Sequence, residues 1–344
     1  MKHLLLVIAI LLAVLLTGIL VGSVQFNRFL DTPVNVPEGG VEFVIEPGSS
    51  FGKVSQQLAD RGIIDKPQWF RRYGGWTGEA NAVQAGDYLI RPGTTPTELL
   101  KQFASGNVQL YSFTIIEGWN YREMLNAMRE HPEINAVLEE DDWPSFLAQL
   151  GADSDYPEGL FLPETYRFPR NTTDKTLLGQ AHELMVETLD EEWANRADDL
   201  PLESPYEALI LASIVEKETG RADERARIAG VFVRRLQKRM RLQTDPTVIY
   251  GIGPDFDGNI TRRDLRTDTP YNTYTRGGLP PTPIAMPGRA AINASLNPED
   301  GDELFFVATG DGDGGHTFSA TREEHDAAVA EYLRRLRQNR ANGN

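Results

Sequence analysis

The sequence predicts an α+β protein with a single N-terminal transmembrane helix, a small α/β subdomain and a mixed α+β domain behind it. Three observations carry this reading. Residues 4–24 are 21 consecutive uncharged residues, with only Thr17 and Ser23 hydroxylated. As a helix that run is about 30 Å long, the thickness of a bilayer core. From residue 41 onward, short segments of alternating polarity are interleaved with segments of helical period, the marks of half-buried strands and amphipathic helices. At 344 residues the chain is also long enough for two or three domains with a sizeable core.

The apolar run comes first. A cleaved signal peptide is the competing reading, but the run is long and no A-x-A-like site follows it, so a retained single-pass anchor is expected, preceded by a tail at residues 1–3. Lys2 and the terminal amine precede the span and Arg28 follows it, which places the tail in the cytoplasm and the bulk outside. Residues 25–40, with DTPVNVPEGG at their end, read as a linker. Residues 41–107 read as a compact unit. VEFVIEP alternates as a strand; Phe51, Val54 and Leu58 mark a short amphipathic helix; Tyr88, Leu89 and Ile90 form a second strand. Thr95-Pro96-Thr97-Glu98 is a capping box opening a helix that ends near Gly106. Two short helices and two strands resemble a LysM-like glycan-binding module. Residues 108–203 form a connecting part: YSFTIIEG is a strand, and residues 121–131 and 176–193 are helices. Between them GLFLPETYRFPRNTT is a Pro-punctuated aromatic loop, which either lines a cleft or anchors itself on the core. Residues 204–336 are expected to form a catalytic domain, followed by a polar tail at 337–344.

Within residues 204–220, SPYEALILASIVEKETG reads as one helix carrying a misplaced acid. Ser204 and Glu207 form a capping box, Pro205 suits the first turn and Gly220 is a stop. At about 100° per residue, Leu211, Ile214 and Val215 fall within about 60° of Glu218, and Ala208 and Ile210 flank them. Glu218 therefore sits in an apolar stripe, where a carboxylate is costly unless neutral or paired. Burial raises a carboxylic acid's pKa, and a neutral Glu is what a general acid needs. A frayed helix end or a pairing with Arg is the bland alternative. Glu216 points to the opposite side, beside Ala212 and Ser213.

A second helix is expected over residues 223–239. After it come RLQTDPTVIYGIG, in which Asp245-Pro246 favours a turn, then TPYNTYTRGGLPPTPIAMPG and GGHTFS. The Tyr, Asn and Thr side chains at 271–274 can hydrogen-bond sugar hydroxyls and acetamido groups, or simply satisfy their own backbone. Other chemistries fall away. With no cysteine, there are no disulfides, thiol nucleophiles, Cys-bound metals or lipidated anchor. There is no HExxH, G-x-S-x-G or Walker loop, and Ser213 has no evident base. The five histidines lack metal-ligand spacing, and DGDGGH lacks the closing acid of a Ca²⁺ loop, so no metal or cofactor is expected. A net charge of −16 argues against nucleic acid, and against an anionic surface held through bulk charge.

ASIVEKET, RLQTDPTVIYG, YNTYT with GLPP, and GGHTF together resemble the endolytic murein transglycosylases, the MltG or YceG-like family, over nearly the whole chain. The resemblance implies a membrane-embedded enzyme that cuts peptidoglycan glycan strands at the β-1,4 bond between N-acetylmuramic acid and N-acetylglucosamine. Its catalytic acid is the second Glu of E-K-E, Glu218. It also implies a role in ending strand growth beside penicillin-binding synthases. Glu216, Gln243, Asp245, Tyr250, Tyr271, Asn272 and Tyr274 are the candidates for orienting sugars, Glu216 alternatively for a surface ion pair. Two rivals stay open: a muramidase using water, with Asp245 or another carboxylate as partner, and a non-catalytic tethered glycan-binding protein.

Overall fold

The structure, a computed structural model, describes residues Lys2–Ala341; Met1 in the expected tail and residues 342–344 lie outside it. Helix α1 (Lys2–Asp31) is long and apolar enough to cross a membrane. The large apolar side chains along residues 4–24 are exposed. The helix does not stop where the apolar run does. Phe29 and Leu30 are buried, and the rings of Phe26 and Phe29 lie 5.7 and 5.8 Å from that of Trp69. Beyond it, the Val34 N–H donates to Thr94 O and the Asn35 N–H to Ile63 O. Within the linker expected over 25–40, residues 25–31 are helical and Phe29, Leu30 and Val34 are buried. Its apolar residues are spaced to face a core that the composition of DTPVNVPEGG hides.

The chain divides into two units, Met1–Tyr111 with Arg167–Asn171, and Ser112–Tyr166 with Thr172–Asn344. In the first, β1 (Val41–Ile45) pairs antiparallel with β2 (Gly86–Ile90), Phe43 opposite Tyr88. Phe43, Ile45, Tyr88 and Ile90 turn one face inward, as strand alternation requires. Between the strands lie α2 (Phe51–Asp60) and α3 (Pro67–Thr77); α4 (Pro96–Ser105) follows, with the full Thr95–Glu98 capping box and Gly106 left-handed at its end. Helix α3 was not expected. Its two glycines depress helix propensity, yet Gly74 is required: a Cβ there would run into the Phe51 ring.

In the second unit, α5 (Tyr121–Glu130) is capped by Asn120 and Glu123, and α6 (Trp143–Leu150) and α7 (Asp174–Ala194) follow. The aromatic loop of 159–173, of which Arg167–Asn171 belong to the first unit, is partly strand: β5 (Thr165–Pro169) pairs with β3 (Leu110–Thr114), while β6 (Thr172–Thr173) pairs parallel with β4 (Ile134–Asn135). Tyr166 and Phe168 are buried, so these aromatics anchor on the core. Helix α8 (Pro205–Glu218) packs against α7, α9 (Arg225–Gln237), α10 (Asp245–Ile252) and α11 (Arg289–Leu296). Every residue from Ala208 to Val215 is buried, including Ala212 and Ser213 on the side of Glu216. A helix apolar all round is a central helix. Ser213, on that side, donates to Ile210 O and accepts the Ile284 N–H at 3.0 Å. The hairpin of β7 (Phe305–Ala308) and β8 (His316–Ser319) and helix α12 (Arg322–Ala341) close the unit. Helix α12 runs through the described part of the expected polar tail.

Candidate active site

Ser204 caps the Glu207 N–H, but the Glu207 carboxylate accepts from the Glu203 N–H at 2.6 Å, so the expected box closes one residue early. At the other end the stop is Thr219, extended at φ −147°, and not Gly220. Glu218 is therefore the last helical residue. Its carboxyl stands at the negative end of the helix dipole, which disfavours the anion. It is partly buried and accepts a hydrogen bond from the Thr244 hydroxyl. Burial holds the Glu218 carboxyl above the usual carboxylate range; Thr244 opposes this and the nearby Asp245 charge adds to it. The acid inferred from spacing is thus a group biased toward its protonated form.

Thr244 is held from three directions. Its N–H donates to the Thr273 hydroxyl at 3.1 Å, and its carbonyl accepts from the Thr247 hydroxyl at 2.8 Å. The buried Arg235 of α9 donates to the carbonyls of Leu242 and Arg241 just upstream. Between them Gln243 is exposed in a left-handed conformation, φ 52°, which swings the chain so that Thr244 faces Glu218. Asp245 was expected in a turn. It opens α10 instead, because proline fits the first turn of a helix as well as it fits a turn. Its carboxylate accepts the Tyr274 hydroxyl at 2.6 Å. Burial raises the Tyr274 pKa, and the bond to Asp245 adds to the effect. His316 of β8 reaches the same region, its ring Nδ1 2.7 Å from Glu224 and its N–H on the same carboxylate. The four sequence segments built on Glu218, Thr244–Asp245, Thr273–Tyr274 and His316 converge, though nothing in their spacing along the chain says so.

A profile of the YceG-like family matches residues 43–331. The chain belongs to the YceG-like family. Among curated relatives, the endolytic murein transglycosylase of Bacillus subtilis strain 168 is 29% identical over 337 residues, covering 91% of this chain and 90% of that protein. The protein of the same name from Streptococcus pneumoniae D39 is 26% identical over 363 residues; the match covers 94% of this chain and 64% of that one. A crystal structure of a YceG-like protein from Listeria monocytogenes superposes with a TM-score of 0.54 at 28% identity, covering 85% of this chain and 99% of that one.

Other expected site residues of this YceG-like chain form no hydrogen bond with Glu218 among the described residues. Tyr250 and Tyr271 meet edge to face at 4.9 Å. The Tyr250 hydroxyl donates to Glu158 at 2.9 Å, and the Tyr271 hydroxyl bonds Thr282 at 2.8 Å. Tyr250 lines a cleft of about 610 Å³ with Asn120, Arg122, Lys217 and Phe256. Asn272 is not available to a sugar. It is fully buried, its Nδ2 directed at the carbonyls of Asp264, Leu265 and Thr267, and its Oδ1 accepts the Tyr274 N–H. The sugar-binding expectation gives way to a structural role: two amide hydrogens already face three acceptors. Glu216 is no surface ion pair. Its side chain is buried, accepts the Gly288 N–H at the start of α11 and faces Arg225 at 3.5 Å.

Sequence reasoning missed Thr244, Arg235 and above all Glu158. Glu158 is fully buried and accepts the Tyr121 N–H and the Tyr250 hydroxyl. Burial pushes its carboxyl up to about 8, against the bonds from Tyr250 and Tyr121. It lies in a loop, where no periodicity marks a residue as inward-facing.

Proposed function

We propose that the chain is a lytic transglycosylase that cuts within peptidoglycan glycan strands, with Glu218 as its acid and base. The observation that carries this is the Glu218 carboxyl, biased toward the neutral form by burial at a helix end and aimed by Thr244. The names of its curated relatives support the substrate. Neutral Glu218 protonates the glycosidic oxygen between N-acetylmuramic acid and N-acetylglucosamine. The C1–O bond then breaks, releasing the 4-hydroxyl of N-acetylglucosamine. The muramic acid's own 6-hydroxyl attacks C1 and passes its proton to the Glu218 carboxylate, closing a 1,6-anhydro ring and restoring the acid. No water is consumed and no second carboxylate is needed, because the intramolecular nucleophile brings its own proximity. Asp245, fixed by Tyr274, supplies negative charge near the oxocarbenium-like state.

Helix α1 serves in this reading as a single-pass anchor in the inner membrane, with the catalytic unit on the periplasmic side. That placement suits an enzyme ending the growth of nascent strands beside penicillin-binding synthases. The pair of helices between β1 and β2 supports the LysM-like reading of that subdomain.

The test is mass spectrometry of muropeptides from peptidoglycan incubated with the full chain in detergent, beside its Glu218→Gln variant. Anhydro-muramic ends made by the wild type and lost in the variant are expected. Reducing ends would favour the water-using muramidase. No cleavage, or cleavage indifferent to the substitution, would remove Glu218 from its role and favour the glycan-binding protein.

A further inference from the structure

At the foot of the apolar run the first unit presents a face unlike the rest of this acidic chain. On the helical wheel of α3, Trp69, Arg72, Tyr73 and Trp76 fall within about 100° of one another, and Lys66, just before the helix, extends the same face. The buried positions of α3, Phe70 and Gly74, lie to one side of this face. Trp76 is 81% exposed, far more than a large aromatic side chain needs to be unless something covers it. The face sits at a definite height. Phe26, two residues beyond the apolar run, has its ring 5.7 Å from that of Trp69 and 6.5 Å from that of Tyr73. Two residues of helix are about 3 Å, so these rings lie where a bilayer's hydrocarbon would give way to headgroups.

The cations gather at the same level. Lys66 stands over the Trp69 ring at 4.3 Å. It shares with Arg28 a cleft of about 740 Å³ beside the lower turns of α1, where Asn35 and Gln25 offer further polar groups. Asp65 also lines this cleft, but its carboxylate is 4.0 Å from Lys66 and leaves that charge largely unspent. Arg28 and Arg72 enter no ion pair among the described residues, and both are exposed. Aromatic rings with an apolar body and a polar edge, interleaved with Lys and Arg, are the composition of a membrane–water interface.

We propose that the Trp69–Trp76 face of α3 and the Arg28–Lys66 cleft lie on the membrane surface and bind the headgroups of anionic lipids. The inference rests on α1 spanning the bilayer. The local charge that would hold the lipid is opposite to the net charge of the chain, so the attraction is confined to this patch, within a Debye length of the surface.

The lack of cysteine makes a clean test possible. The full chain is placed in nanodiscs of phosphatidylglycerol or of phosphatidylcholine, with a nitroxide on either Trp76→Cys or Gly18→Cys. Collision with oxygen and with a water-soluble nickel chelate then gives the depth of each label. Gly18 has nothing within 4 Å of a Cβ, so its label reports only whether α1 spans. The expected result is a Gly18 label at hydrocarbon depth and a position 76 label protected from the chelate in phosphatidylglycerol. That protection is lost in phosphatidylcholine and in a Lys66→Glu, Arg72→Glu background. A buried Gly18 label with a water-exposed label at 76 overturns the patch while the anchor stands. Equal depth in both lipids overturns the headgroup assignment. A water-exposed Gly18 label overturns the anchor itself and the patch with it.

Discussion

Replacing Glu158 by Gln should change how the second unit's stability depends on pH. In the folded chain this carboxyl titrates near about 8, against an ordinary value of 4.5, because no side-chain surface reaches solvent. Below about pH 4.5 the group is neutral in both folded and unfolded chains. As pH rises toward about 8 the unfolded chain ionises freely while the folded one keeps its proton, so stability falls along this window and levels off above it. At 1.36 kcal/mol per pH unit, the gap sets a ceiling of about 5 kcal/mol. The Glu158 oxygens accept the Tyr250 hydroxyl and the Tyr121 N–H, and these two bonds do not offset the burial. Glutamine keeps the volume and an acceptor without titrating. Urea unfolding of the full chain in detergent, read by amide exchange of α5, would be compared at pH 5 and pH 8. The Tyr121 N–H at the start of that helix rests on Glu158. The wild type is expected to lose several kcal/mol more than the variant between those two values. Wild-type and variant stabilities that stay a constant distance apart would show an ionised Glu158 and refute the argument.

The other expectations concern the acid and the ends of its helix. Glu218→Gln should lower glycan cleavage by about 10²–10⁴-fold with folding intact, as measured by initial rates and circular dichroism. Asp245→Asn removes a charge that raises the Glu218 pKa, so the alkaline limb of the pH–rate profile should move to lower pH. Thr244→Val removes the bond that lowers it and should move that limb the other way; an unmoved limb in both would clear these neighbours of any part in tuning the acid. Ser213→Ala leaves the buried Ile284 N–H without its acceptor and should cost about 1–3 kcal/mol in urea unfolding. A fragment starting at residue 31 lacks Phe29 and Leu30 and should be less stable than one starting at residue 24 by roughly 3 kcal/mol or more.

What was legible in the sequence was local. The caps at Thr95 and Ser204 and the period of Phe51, Val54 and Leu58 are read within one turn of chain, and the structure has helices there. Glu218 could be singled out for the same reason, since its apolar neighbours lie on its own helix. What failed needed a partner from far away. Helix α3 depends on Phe51 filling the space that Gly74 leaves. Strand character at Thr165–Pro169 depends on β3. Asp245-Pro246 fits a turn and a helix start equally, and only packing against α8 decides. The Thr244 hydroxyl meets Glu218 across 26 residues, and Asn272 looked like a ligand-binding amide until three carbonyls were seen to claim it.

Glu218, the proposed acid, stands at the end of a helix packed against four others. That couples two selective pressures usually kept apart. In an enzyme whose reacting groups ride on surface loops, core leucines can drift while the chemistry stays put. Here the buried Leu211, Ile214 and Val215 are core packing on the same helix that ends at Glu218. An exchange such as Ile214→Val is worth only about 0.5–1.5 kcal/mol of stability, but any shift it causes is passed along the helix that carries Glu218. A misplacement near 1 Å can take about a hundredfold from turnover. Substitutions recruited to stabilise this protein are therefore best sought away from α8, whose residues from Ala208 to Val215 are all buried.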